Sequence, residues 1–143
     1  MPARRIKNKK QSDDKPASRI DLKDILNTVG DRVIKSRWRC RDLWVLANFD
    51  ENPDSYRFSR LKVSGDELLE MASKIYQTID GRFEARSEGA AKTPWLVIVA
   101  FDSSWFEVWS SKLWIIEKIK TTFQDTTDIT EISGILSEPV KAG

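Results

Sequence analysis

Histidine is absent from the 143 residues, and cysteine occurs once, as Cys40. The first absence excludes His-based triads, His general bases and every zinc site built on imidazole. The second excludes an intrachain disulfide and a Cys-rich zinc or iron–sulfur site within one chain. Long apolar runs are missing too. The longest, Trp95 to Phe101, has seven residues, whereas a membrane helix needs about 20. The basic N-terminus lacks an apolar segment of its own and does not read as a secretory signal. These absences predict a cytoplasmic protein with no membrane partner and no cofactor or metal. Any catalysis would rest on carboxylates, hydroxyls, lysines or one thiol.

What is present is enough for a packed core: 40% apolar residues, with six Trp, six Phe and two Tyr. The length suits a single domain. The net charge of +2 conceals an asymmetry. Residues 1–19 carry seven basic residues against Asp13 and Asp14, a net +5, and residues 20–143 carry −3. With Pro2, Pro16 and almost no large aliphatic residues, 1–19 reads as a disordered basic tail. Residues 20–126 read as one α+β domain, and 127–143 as a polar C-terminal extension.

Within the domain, Ile20, Leu22, Ile25, Leu26 and Val29 recur at helical spacing until Gly30. Residues 36–49 and 55–63 flank Asn52-Pro53 and predict a hairpin. Ser64 and Glu67 form a capping box for a helix over 65–79, which Asp80-Gly81 ends. Strands are expected at 82–87, 95–101 and 105–109, the last two joined by a tight turn at Asp102. A final helix, capped by Ser110 or Ser111, has Leu113, Ile116, Ile119, Lys120 (by its stem) and Phe123 as its core face. The order α-ββ-α-βββ-α predicts a two-layer fold, a mainly antiparallel sheet with helices on one face. Residues 44–50 also echo 96–102, each leading to a Ser-capped helix, so a duplicated ββα unit about a pseudo-twofold axis is an open alternative.

Two clusters are candidate binding surfaces. Trp105, Glu107 and Trp109 share one strand face, opposite Phe106 and Val108, and Trp114 lies off the apolar stripe of the last helix. Tryptophans around one acid suit a protein partner, including a second copy of the chain. The other candidate is basic. Arg4, Arg5, Lys7, Lys9 and Lys10 crowd the tail. Arg37, Arg39 and Arg41 form a row along one strand at about 6.7 Å spacing, which Arg60 and Lys62 on the partner strand extend. Such a set grips phosphates, unless acids such as Glu84 or Glu107 pair with it across the strands. Cys40 reads as a small core residue; if exposed, its arginine neighbours would lower its thiol pKa.

Helix 65–79, the three strands and the last helix give an order that resembles the PD-(D/E)xK nucleases. That resemblance implies Asp102 and Glu107 as metal-binding acids, but the lysine it requires is replaced by Trp109. The order is also similar to that of double-stranded-RNA-binding domains, whose helical lysine cluster is missing here. The reading the sequence favours is a non-enzymatic binding or accessory protein acting through a protein–protein interface. The alternative is a nucleic-acid-binding protein, and the third is a metal-dependent hydrolase.

Overall fold

A computed structural model describes residues 1–7, 20–50, 52–87 and 93–129. The protein has a mixed α+β fold. Its elements in chain order are strand β1 (Ala3–Lys7), helix α1 (Leu22–Val29), a 3-10 turn (Gly30–Val33), β2 (Ser36–Ala47), β3 (Asp54–Ser64), α2 (Gly65–Lys74), β4 (Ile75–Ser87), β5 (Leu96–Phe101), β6 (Trp105–Ser110), α3 (Leu113–Thr122) and β7 (Thr126–Asp128). Among the described residues the seven strands form one antiparallel sheet in the order β3-β2-β4-β5-β6-β1-β7.

The apolar spacing of α1 buries Leu22, Ile25, Leu26 and Val29, and Gly30 ends the helix at φ 84, a left-handed conformation that costs glycine little. Ser64 and Glu67 cap α2 as expected: the Glu67 N–H donates to Ser64 Oγ at 3.2 Å, and the Ser64 N–H donates to Glu67 Oε1 at 3.0 Å. This helix stops at Lys74, five residues earlier than the spacing predicts. Ile75 to Ile79 instead open the long strand β4, where Ile75 pairs with Ala47 and Thr78 with Val45. β-Branched and aromatic residues fit a pleated surface better than a helix interior, and β2 offers them backbone partners.

Strand β2 changes phase midway. Ser36, Trp38 and Cys40 point inward, whereas after an irregularity at Asp42 (φ 50) the inward residues are Leu43, Val45 and Ala47. The extra residue lets one strand keep its apolar side inside on both sides of the bulge. The main core joins these side chains to Phe83, Ala85, Leu96, Ile98, Phe106 and Val108 from the sheet and to residues of all three helices. Phe106 and Val108 therefore face the core. On α3 the buried residues are Ile115, Ile116 and Ile119, whereas Leu113 and Lys120, expected in the stripe, are exposed. The N-cap position of α3 is Lys112; Ser110 accepts the Lys112 N–H at 3.0 Å and donates to the Trp95 carbonyl at 2.8 Å.

The structure departs from expectation at the N-terminal end. Residues 3–7 are not a disordered tail but a sheet strand between β6 and β7, with Ile6 in the main core. The strand satisfies its backbone and the charges of Arg4 and Arg5 through partners remote in sequence. Residues 8–19 lie outside the described set. So do 130–143; residues 126–128 of the expected extension and its boundary form β7.

The strand order does not confirm the duplication. Units β2-β3-α2 and β5-β6-α3 flank β4 on opposite sides, with β2 and β5 running the same way. Both helices pack into the same core. Two such units are related by reflection, which no rotation of a repeated chain produces.

Candidate polyanion-binding face

Inward and outward alternation places Arg37, Arg39 and Arg41 on the side of β2 opposite Trp38 and Cys40. Backbone register sets the neighbours. Arg37 lies between Ser64 of β3 and Arg86 of β4, Arg39 between Lys62 and Glu84, and Arg41 between Arg60 and Arg82. Among the described residues, three adjacent strands thus carry seven cations around Glu84, of which Arg82, like Glu84 itself, is buried. The structure brings the predicted Arg37, Arg39, Arg41, Arg60 and Lys62 together, and adds Arg82 and Arg86, which local sequence did not single out.

Glu84 forms no ion pair with Arg37 or Arg39. One carboxylate oxygen accepts from Arg82 Nε at 2.9 Å, and the other from Arg86 Nη1 at 3.3 Å. Both arginines sit on its own strand at two-residue spacing, where alternation puts them on the same face. Arg39, directly opposite Glu84, has no ion pair with it. Arg37, Arg39, Arg60 and Lys62 are exposed and have no carboxylate partner among the described residues. Past the bulge, Trp44 continues the outer face. The Arg57 guanidinium lies 3.9 Å from its ring centroid, and its indole N–H donates to Ser55 Oγ at 2.8 Å.

Beneath the row, Cys40 is buried. Burial first, and the nearby Glu84 charge second, push its thiol pKa up to about 12. The arginines would lower it only for an exposed thiol, and this side chain points into the core.

The tryptophan cluster is arranged differently. Trp105, Glu107 and Trp109 do share a face, but Glu107 is wholly buried. Its Oε2 accepts from Arg5 Nη2 at 3.1 Å and from the Trp105 indole N–H at 2.9 Å. Arg5 lies 4.4 Å over the Trp105 ring, which stacks on Phe101. Trp109 packs with Ala3, Val97 and Val99, against Met1 and Ile129. Trp114 is not part of this group: it sits on α3, half exposed, and α3 packs on the Phe106/Val108 side of the sheet.

The tail cations are likewise separated. Arg5 is engaged by Glu107, and Arg4 pairs with Asp128 and donates to Thr126 Oγ1 at 2.9 Å. Lys7 is exposed at the end of β1. Lys9 and Lys10 lie outside the described residues. Among the described residues no three His, Cys, Asp or Glu side chains are gathered as a metal site. Asp102 stands exposed in the β5–β6 turn at φ 47, and its N–H donates to Asp80 Oδ1 at 2.8 Å.

No protein-family model, curated protein or solved structure gives a significant match to this chain. Among the described residues no helix is long and apolar enough to cross a membrane.

Proposed function

We propose that this protein binds nucleic acid through the outer face of β3, β2 and β4. The observation that carries the proposal is that Arg37, Arg39, Arg60 and Lys62 stand exposed on adjacent strands while Glu84, the carboxylate paired across from Arg39, is held by Arg82 and Arg86. Unneutralised cations on a rigid sheet attract phosphates strongly and release counterions on contact. Trp44 and Arg57 add a stacking surface on the same face, suited to unpaired bases. The two-layer reading, with the helices on one side only, belongs to this proposal; on the other side Arg37, Arg39, Arg60 and Lys62 are exposed, whereas Arg82 and Glu84 are buried.

The test is binding of a single-stranded oligonucleotide across a salt series. Affinity is expected to fall with salt, with a slope of about −0.7 per phosphate contacted. The joint variant Arg39→Gln and Lys62→Gln should lower both the affinity and the slope. Absence of binding at low salt, or binding indifferent to salt and to these variants, would overturn the proposal.

A protein partner is the second reading, favoured by the exposure of Leu113 (65%) and Trp114 (46%) at the start of α3. Trp105, Glu107 and Trp109 support it less, because Glu107 is held by Arg5 and the Trp105 indole and Trp109 is buried.

A further inference from the structure

One end of the basic face is concave. Arg37, Arg39, Lys62 and Arg86, from three strands, surround a depression of about 440 Å3, with the Ser64 and Ser87 hydroxyls beside them. This volume lies within the roughly 300–1,000 Å3 typical of small-molecule sites. Glu67, the carboxylate lining it among the described residues, is turned to the Ser64 N–H. A second depression, of about 310 Å3, shares Arg39, Lys62 and Arg86 and continues toward Arg41 and Arg60. The cations therefore form a trough that ends in a pocket.

The charge at that end exceeds what an internal phosphodiester requires. A diester linkage carries one negative charge. A phosphate monoester carries about −1.5 to −2 at neutral pH and presents three acceptor oxygens. Arg37, Arg39 and Lys62 have no carboxylate partner, Arg86 shares Glu84 at 3.3 Å, and the Ser64 hydroxyl, which accepts the Glu67 N–H, still has its own hydrogen to donate. Arginine forks match such oxygens bidentately.

From this geometry we infer that the depression seats a dianionic phosphate monoester, carried by the end of a nucleic-acid strand or by a free mononucleotide. The inference rests on the reading of the basic face given above for its polymer source, and on the pocket itself for its chemistry. Arg37 and Arg39 hold the phosphate from β2, Lys62 and Arg86 close on it from either side, and the trough leads the rest of a strand toward Arg41, Arg60 and Trp44.

The experiment compares single strands of one sequence bearing a 5′- or 3′-terminal phosphate with hydroxyl-ended strands one nucleotide longer, which nearly match them in charge. A nucleoside monophosphate is titrated in parallel against its nucleoside. A phosphorylated strand should bind about tenfold tighter than its control, as expected for one or two added charge-assisted hydrogen bonds. Arg37→Gln and Lys62→Gln, both at exposed positions without ion pairs, should each remove most of that preference and leave the melting temperature unchanged. Equal affinity for phosphorylated and hydroxyl-ended strands, with no binding of the monophosphate, overturns the seat and leaves the polymer reading standing. Monophosphate binding without strand binding supports the seat and overturns the polymer reading. A preference that survives both variants overturns the assignment to this pocket, and no binding of any ligand overturns both readings.

Discussion

Arg5 and Glu107 face each other across β1 and β6, and the guanidinium closes over a carboxylate with no solvent exposure. A buried charge is tolerated only while its partner stays in place. Arg5→Ala should therefore cost about 3–5 kcal/mol in a denaturant titration, as expected for an uncompensated buried carboxylate. Removing residues 1–7 should lower the melting temperature by many degrees, since the Ile6 core contact and β6's partner strand go with them. An unchanged melting temperature would show that β1 is dispensable.

Phe106 and Trp114 separate core from surface. Phe106 lies in the main core and is 2% exposed, whereas Trp114 is 46% exposed. Phe106→Ala should cost about 3–5 kcal/mol, and Trp114→Ala should change stability by less than about 0.5 kcal/mol. A larger loss at Trp114 would mean that its ring packs in solution.

Cys40 makes stability depend on alkaline pH. Its thiol pKa is raised in the folded state from 9.0 to about 12, so the native protein holds this proton where the unfolded chain releases it. The contribution is complete below pH 9 and declines above it, toward the folded pKa, at up to about 1.4 kcal/mol per pH unit. Measured between pH 8 and 10.5, the fall should be steeper in the native protein than in Cys40→Ala. Parallel curves would overturn the assignment.

How much of this was legible follows from the range of the interactions involved. The β2–β3 hairpin, the Ser64 cap, the opposite faces of Phe106/Val108 and Trp105/Trp109 and the shared face of Arg37, Arg39 and Arg41 all follow from neighbours within a few residues; which face of β6 turns to the helices does not. The end of α2 does not, because Ile75, Tyr76 and Ile79 stand at positions that suit either helix or strand, and the decision rests with β2. Strand β1 is illegible for a stronger reason. Ala-Arg-Arg-Ile-Lys looks like a solvated tail until Glu107, Asp128 and the β6 backbone are placed beside it. The net −3 of residues 20–143 also misleads. Net charge is a sum, and folding sorts the cations of β2, β3 and β4 onto one face that holds a single buried acid.

The position of β1 also imposes an order on synthesis. The strand is translated about a hundred residues before β6, and it pairs with both β6 and β7. A nascent chain can close the hairpin and add β4 and β5 as each emerges, while β1, the first of the described strands, waits for β6 and β7. Non-local pairings of this kind are slow, because the loop must be closed before any contact repays the cost. Assembly of the described sheet therefore finishes at the described strand that was translated first, because both neighbours of β1 come after residue 104.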